Sequence, residues 1–256
     1  MKLAATDFDG TFCPIREAVP EENLAAVRKW QAAGHKFGIN TGRGLALIRH
    51  ELVKYETLAP DFLICNNGAV IVSGAGEILA RLAYPEATLA GVLSLPRFAD
   101  GEDPLLIITA RETFSLRPNP EIELGAGVMP PVTLAEAKAM ADVVQISMRC
   151  ETAEDAVATA AAVQRAFPEV TGNINRNYLD LNMAGANKAD GVARLLAVTG
   201  WQVAPDDLFV IGDDRNDLPA IRRYHGYTVE TAADAVKQAA RAVYPTVGAM
   251  LLEHLA

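Results

Sequence analysis

Short apolar runs alternate with stretches of helical periodicity in the first third of the chain. The apolar runs that end at a polar residue are 2–6, 36–39 and 62–65. Between the first two, Leu24, Val27 and Trp30 recur at helical spacing, and Pro20 precedes them as a typical helix-start signal. Short buried strands separated by helices predict a parallel sheet that is covered by helices.

This rhythm changes between about residues 82 and 182. The strand-like runs in that segment are 105–109, 113–116, 143–148 and 178–181, and irregular turns are predicted over 118–131. Thr133 with Glu136, and Thr152 with Asp155, are N-capping patterns that predict helix starts. From residue 187 the alternation of helix and strand returns. We therefore expect an α/β fold in which an α+β segment is inserted into a parallel-sheet domain.

Composition and charge narrow the function classes. The chain has 256 residues and a formal net charge of −9, with 23 Lys+Arg and 32 Asp+Glu. An acidic chain disfavours nucleic acid and anionic membrane surfaces as partners, because both require clustered positive charge. The longest apolar runs are too short to cross a bilayer, and no secretory leader is visible. The three cysteines show no C-x-x-C spacing, so we expect a reducing cytoplasm. We also expect a monomer or small homo-oligomer.

Polar clusters follow three of the predicted strands, at 7–11, 40–43 and 212–217. Ligands of parallel α/β sheets bind outside the carboxyl ends of the strands, so neighbouring strands would bring these clusters into one crevice. Lys188, at the start of a predicted helix, could reach the same crevice. Closely packed carboxylates repel one another unless a cation offsets their charge, and oxygen ligands favour Mg²⁺.

These clusters resemble the motifs of the haloacid dehalogenase superfamily of phosphatases, and they occur in the order of that superfamily. The matching segments are Asp7-x-Asp9-Gly10-Thr11, Thr41-Gly42-Arg43, Lys188 and Gly212-Asp213-x-x-Asn216-Asp217. The insertion lies between the second and third motifs, as in the Cof-like branch with a large α/β cap (subclass IIB). Asn67-Gly68-Ala69 is also similar to that branch. The resemblance implies a Rossmann-like core over 1–81 and 183–256, and an inserted cap over 82–182.

The resemblance also implies a role for each motif residue. Asp7 would be the nucleophile that forms an aspartyl-phosphate, and Asp9 would be the general acid and base. The residues that would hold the phosphoryl oxygens are Thr41, Gly42, Lys188 and Asn216. The residues that would bind or support Mg²⁺ are Asp7, Asp9 through its main-chain oxygen, Asp213 and Asp217. The implied activity is hydrolysis of a small phosphorylated molecule, with a sugar phosphate favoured by the large cap.

Three alternatives share part of this pattern. A phosphotransferase or phosphomutase would use every motif, and a phospho-ligand sensor would keep the fold without turnover. A receiver-like regulatory module also places Asp, Thr and Lys around a phosphoryl group, but the inserted segment disfavours it. Arg43 is expected to form an ion pair or to belong to a helix rather than to contact the substrate. Asp180 could face the seam between cap and core, but an acid on a strand surface is favoured.

Overall fold

The computed structural model describes residues 1–119 and 129–255. Within them, strands form a six-stranded sheet, a five-stranded sheet and a two-stranded ribbon. The strands are β1 (Leu3–Thr6), β2 (Lys36–Asn40), β3 (Phe62–Cys65), β4 (Val70–Ser73), β5 (Ile78–Arg81), β6 (Leu105–Thr109), β7 (Thr113–Arg117), β8 (Val143–Arg149), β9 (Val170–Asn175), β10 (Tyr178–Met183), β11 (Leu208–Ile211), β12 (Thr228–Val229) and β13 (Val243–Tyr244). The expected α/β class is confirmed.

The helices connect and cover these strands. They are α1 (Glu21–Ala32), α2 (Leu45–Leu52), α3 (Glu86–Val92), α4 (Pro96–Ala99), α5 (Leu134–Lys138), α6 (Ala153–Ala166), α7 (Lys188–Thr199), α8 (Leu218–Tyr224), α9 (Asp234–Ala239) and α10 (Val247–Glu253). Both predicted caps are present: the hydroxyl oxygens of Thr133 and Thr152 accept the backbone N–H three residues on. No helix among the described residues has the length and apolarity needed to span a membrane.

The six-stranded sheet has the order β11-β1-β2-β3-β4-β5, with its first four strands parallel. The last two strands form an antiparallel hairpin that the sequence interpretation missed, so the sheet is mixed. The turn from β3 to β4 is too short for a crossover helix, and such a turn can only join antiparallel strands. The hairpin lies at an edge of the sheet, away from β1, so it leaves the arrangement of the parallel strands unchanged.

Alternate residues of the parallel strands supply the apolar cores on the two faces of this sheet. On one face, Trp30 of α1 is fully buried among strand residues that include Phe37 and Phe209. On the other face, Val192 and Leu195 of α7 pack with the strand residues that point to that side of the sheet. Because β1 is covered by helices on both faces, all four of its residues are buried and its apolar run is continuous.

The five-stranded sheet is antiparallel, with the order β7-β6-β8-β10-β9. One face packs its own apolar core, which includes Leu179 and Leu181 of β10. The opposite face lies against the six-stranded part, where Leu47 of α2 packs with Leu106 and Ile108 of β6. The first strand of this sheet begins at residue 105 and the last ends at 183. The domain limits at 82 and 182 stay a prediction, and most of the predicted turn region over 118–131 lies outside the described residues.

Candidate active site

The topology brings the three predicted polar clusters together. Strand β1 is hydrogen-bonded to β11 on one side and to β2 on the other, all in parallel. The segments that follow these strands begin at Asp7, Gly212 and Thr41, and therefore leave the sheet at the same edge. A single crevice at the carboxyl ends of the strands thus contains residues that are up to about 200 positions apart in the chain.

A buried lysine joins two of the clusters. The ammonium of Lys188 lies 2.9 Å from Oδ1 of Asp7 and 2.6 Å from Oδ1 of Asp217. The side chains of Lys188 and Asp7 are 1% and 3% exposed, so both charges are removed from water. Its two carboxylate partners raise the pKa of Lys188 and keep it charged, although burial alone acts in the opposite direction. The predicted phosphate-binding lysine is therefore a fixed internal cation.

Two glycines permit the close packing of the acidic groups. A Cβ at Gly10, whose φ is +84°, would lie 2.4 Å from Oδ2 of Asp213. A Cβ at Gly212 would lie 2.1 Å from the carboxyl carbon of Asp217. Both contacts are far shorter than van der Waals distance, so only glycine fits. The glycines of the first and fourth motifs thus allow the backbone to approach the carboxylates.

The acidic cluster has the donor set of a divalent cation site. Carboxylate oxygens of Asp7, Asp213 and Asp217 lie within 4.8 Å of one another. Oδ1 of Asp7 accepts the N–H of Phe8 at 2.7 Å, whereas its buried Oδ2 has no hydrogen-bond partner. Three carboxylates with one ammonium leave a formal charge of about −2, which a divalent cation would offset. Hard oxygen donors fit Mg²⁺.

The pKa values of the cluster agree with an uncompensated negative charge. Burial, together with repulsion from neighbouring carboxylates, raises the pKa of Asp7 well above its usual range, against the attraction of Lys188. Burial likewise raises the pKa of Asp213 to about 6, although its carboxylate accepts a hydrogen bond of 2.7 Å from the hydroxyl of Thr11. A cation at this position would favour the ionised forms of both groups.

Both carboxylate oxygens of Asp217 accept hydrogen bonds from other groups of the protein. One oxygen accepts from Lys188, and the other accepts the backbone N–H groups of Asp213 and Asp214 at 3.1 and 3.2 Å. Asp217 therefore fixes the lysine and the loop after β11 at the same time. This geometry favours a supporting role for Asp217 and leaves Asp7 and Asp213 as the more available side-chain ligands.

The remaining predicted phosphate-binding residues line the same crevice. Thr41 and Asn216 are buried, and both face the cavity together with Gly42. The hydroxyl oxygen of Thr41 accepts the N–H of Arg43 at 3.1 Å, which fixes the turn after β2. Oδ1 of Asn216 is buried without a partner, and its amide donates to Oδ1 of Asn67 at 3.2 Å.

Arg43 forms a two-point ion pair with Asp9. Its Nε lies 2.7 Å from Oδ2 of Asp9, and its Nη2 lies 2.6 Å from Oδ1. Glu51 of α2 is a second acidic neighbour, 3.6 Å from the guanidinium. The expectation that Arg43 forms an ion pair is confirmed, and its partner is the residue predicted to be the general acid.

The interpretation of Asp180 as an acid on a strand surface was wrong. Its carboxylate lies between the two sheets, accepting from the hydroxyl of Ser147 at 2.6 Å and from the amide of Asn67 at 2.9 Å. Burial raises the pKa of Asp180 to about 6, and these hydrogen bonds oppose the shift. The alternation of side chains along β10 is the sequence feature that was missed. Leu179 and Leu181 face the core of the five-stranded sheet, so Asp180 faces the opposite side, which the six-stranded part covers.

A cavity of about 850 Å³ connects these groups. Its base is formed by Asp7, Thr41 and Asn216, and its sides include residues of the five-stranded sheet such as Gln145 and Ser147. This volume is within the range of small-molecule sites. Carboxylates around a buried ammonium, at the carboxyl ends of parallel strands and beneath a second sheet, define the protein as an α/β enzyme whose active-site cleft lies between two sheets.

The chain belongs to the family of haloacid dehalogenase-like hydrolases, whose model matches residues 4–248. A curated relative, an uncharacterized protein of Mycoplasma capricolum subsp. capricolum, is 21% identical over 246 residues and covers 88% of each chain.

Solved structures share the whole fold. A subclass IIB sugar phosphatase of the superfamily is 22% identical, with a TM-score of 0.81 and 100% of both chains covered. A haloacid dehalogenase-like hydrolase from B. subtilis is 20% identical, also with a TM-score of 0.81 and full coverage of both chains. A phosphatase of the superfamily from Bacteroides thetaiotaomicron is 23% identical, with a TM-score of 0.77 and coverage of 100% of this chain and 95% of that one. At these identities the likeness shows the fold alone.

Proposed function

We propose that this protein is a Mg²⁺-dependent phosphatase that hydrolyses a small organic phosphate, with sugar phosphates as the substrate class. The main support is the contact of Lys188 with Asp7, a residue that lines the base of the cavity. A buried cation beside a buried carboxylate with one unpartnered oxygen is suited to a phosphoryl group, which needs both a nucleophile and charge neutralisation.

Asp7 would act as the nucleophile. A carboxylate oxygen of Asp7 attacks phosphorus, the ester P–O bond breaks, and an aspartyl-phosphate forms. Water then attacks that phosphorus, which releases inorganic phosphate and regenerates the carboxylate. Because Oδ1 is engaged by Phe8 and Lys188, the unpartnered Oδ2 is the oxygen free to meet a ligand. Two displacements of this kind replace one more difficult hydrolysis.

Asp9 would protonate the leaving oxygen in the first step and take a proton from water in the second. Each of its oxygens accepts one hydrogen bond from Arg43 in this structure, so Asp9 would share or exchange one of these contacts when it transfers a proton. Substrate binding can supply that exchange, because the leaving-group oxygen would offer Asp9 a new hydrogen bond. Arg43 is thus a positioning residue for Asp9.

The phosphoryl oxygens would be held by Lys188, Thr41, Asn216 and the N–H of Gly42. Asn216 is suited to this role because its side chain is fixed by Asn67, which limits the entropy lost on binding. Asp7, Asp213 and the main-chain oxygen of Asp9 would hold Mg²⁺, with Asp217 in support. Bound there, Mg²⁺ would supply positive charge to the phosphoryl group.

The substrate class is supported by the polar side of the five-stranded sheet. The side chains that line the cavity from this sheet and can hydrogen-bond to hydroxyl groups are Gln145, Ser147, Asn175, Tyr178 and Asp180. A molecule bearing several hydroxyl groups would satisfy such a surface. We expect bulky phosphoproteins to be excluded, because the five-stranded sheet covers the crevice. The buried free thiols of Cys65 and Cys150 agree with the reducing cytoplasm that we propose as its location.

The first experiment is a screen of the purified protein against sugar phosphates, nucleotides and p-nitrophenyl phosphate, with Mg²⁺ and with EDTA. We expect release of inorganic phosphate that requires Mg²⁺ and is fastest with sugar phosphates. Transfer of the phosphoryl group to a second sugar without phosphate release would identify a phosphotransferase instead. No turnover of any compound by folded protein in Mg²⁺ would contradict the proposal and favour a sensor.

A further inference from the structure

The cavity contains more charged groups than the phosphoryl chemistry uses. Most are neutralised within the protein: Arg43 is paired with Asp9, and Lys54 lies 2.7 Å from Glu51. Asp180 receives hydrogen bonds from neutral donors. Outside the acidic cluster proposed to hold Mg²⁺, these charged side chains of the walls therefore already have partners within the protein.

Arg16 and Arg176 differ from these side chains in their exposure and in their lack of partners among the described residues. Both line the cavity and both are exposed, so they lie at its opening rather than at its base. Within residues 1–119 and 129–255, neither guanidinium has an ion-pair or hydrogen-bond partner, even though acids outnumber bases in this chain. Two unpaired cations thus border the same cavity.

The two arginines come from different parts of the fold. Arg16 lies in the segment after β1 that begins with the catalytic motif, and Arg176 lies in the tight turn between β9 and β10. Their φ angles are +63° and +53°, in the left-handed region where arginine is uncommon. Gly and Asn are the residues that turns with this backbone geometry favour. The backbone conformation of these turns therefore does not explain why arginine occupies them.

The exposure of the lining side chains increases away from the phosphoryl site. Asp7 is buried, most of the polar side chains from the five-stranded sheet are half-buried, and the two arginines are exposed. A substrate with its phosphoryl group at the base would therefore extend towards Arg16 and Arg176. The guanidinium fork pairs best with carboxylate or phosphate.

We propose that Arg16 and Arg176 form a second anion-binding site, so that the preferred substrates are phosphorylated sugars with a second acidic group at the far end. This substrate class rests on the proposed phosphatase function. Both a carboxylate, as in a phosphorylated sugar acid, and a second phosphate, as in a sugar bisphosphate, have the required charge and reach.

The test uses pairs of ligands that differ mainly in the second charge. 6-Phosphogluconate is compared with sorbitol 6-phosphate for the carboxylate, and fructose 1,6-bisphosphate with fructose 6-phosphate for the phosphate. Each is measured as a competitor against the most rapidly hydrolysed monoester of the screen, so a competition constant is obtained whether or not the competitor is turned over. We expect at least about fivefold tighter competition by the doubly acidic member of one pair.

The variant Arg16→Gln with Arg176→Gln should reduce this preference to less than about twofold, since it removes both guanidinium groups. The matched control is Arg165→Gln with Arg222→Gln, which removes the same charge from exposed positions that do not line the cavity. It should keep the preference, because long-range attraction alone is not the cause.

Two results would overturn the second site. One is equal competition by both members of each pair in the unmodified protein, and the other is an equal loss of preference in the control variant. Either can occur while the reporter monoester is still hydrolysed, so it leaves the phosphatase function intact. Failure of the phosphatase function itself would be recognised separately, as the absence of any Mg²⁺-dependent phosphate release.

Discussion

The carboxylate of Asp180 accepts a hydrogen bond of 2.9 Å from the side-chain amide of Asn67, and this contact joins the five-stranded sheet to the segment that follows β3. Asn67 in turn accepts a hydrogen bond from Asn216, a proposed phosphate-binding residue. A Cβ at Gly42 would lie 3.2 Å from Oδ2 of Asp180, so the same carboxylate borders the turn after β2. Asp180 thus links the inserted segment to the phosphoryl site through one intermediate side chain.

We expect Asp180→Asn to change how stability depends on pH. Burial raises the pKa of Asp180 to about 6, above the usual 3.8, so the folded state binds this proton more tightly than the unfolded chain. As pH rises, the unfolded chain ionises first, and stability is lost between about pH 4 and pH 6. The free energy of unfolding of Asp180→Asn, minus that of the unmodified protein, should therefore rise by about 2–3 kcal/mol from pH 4 to pH 7.

Urea denaturation of both proteins at a series of pH values measures this difference. A difference that is constant from pH 4 to pH 7 would show that Asp180 titrates alike in the folded and unfolded states. A difference that falls with pH would mean that the ionised carboxylate stabilises the contact with Asn67.

Asp7→Asn should abolish turnover and preserve the fold. The substitution removes the nucleophilic carboxylate but retains the size of a side chain that is buried against Lys188. We expect kcat to fall by at least about 10³-fold with little change in the melting temperature. Activity within tenfold of the unmodified protein would exclude Asp7 as the nucleophile.

Asp9→Asn provides the contrast to Asp7→Asn. Because the nucleophile remains, the aspartyl-phosphate should form slowly and be hydrolysed even more slowly. With a substrate labelled on its phosphoryl group, labelled phosphate should therefore stay on the acid-quenched protein. No label should be retained by Asp7→Asn. Equal labelling of both variants would contradict the separate roles of the two residues.

Asp213→Asn should weaken Mg²⁺ binding. Millimolar Mg²⁺ is expected to raise the melting temperature of the unmodified protein, since it binds the folded cluster and relieves its repulsion. The shift should be lost in Asp213→Asn and kept in Asp214→Asn, a neighbouring carboxylate that caps the N–H of Arg215. An unchanged shift in Asp213→Asn would exclude this residue as a ligand.

Lys188→Met should strongly destabilise the protein. It leaves the buried carboxylates of Asp7 and Asp217 without their shared cation, which costs about 3–5 kcal/mol of unfolding free energy. Lys54→Met is the matched control: Lys54 is 51% exposed in its pair with Glu51, and its loss should cost less than about 1 kcal/mol. Similar losses in the two variants, measured by urea denaturation, would argue against a buried ion network.

The α/β class, the strands of the catalytic crevice and the motif residues within it follow from local sequence. Strand β3 matches its predicted bounds, because a parallel strand that is buried on both faces requires a continuous apolar run. Gly10 and Gly212 belong to the motifs, but the carboxylate that approaches Gly10 is that of Asp213, in the distant fourth motif. The family resemblance that implies the chemistry rests on motifs a few residues long, three of which follow strands.

The partners and surroundings of those residues are determined only by the tertiary structure. The environment of Asp180 depends on Asn67, which is 113 positions away, and alternation along β10 shows which side Asp180 occupies but not what covers it. The pairing of Arg43 with Asp9 spans 34 positions and likewise depends on the packing of β1 beside β2. Arg16 and Arg176 border one cavity only because the five-stranded sheet lies over the crevice. Local pattern specifies backbone and burial, whereas the partners of a charged side chain are set by the packing of distant segments.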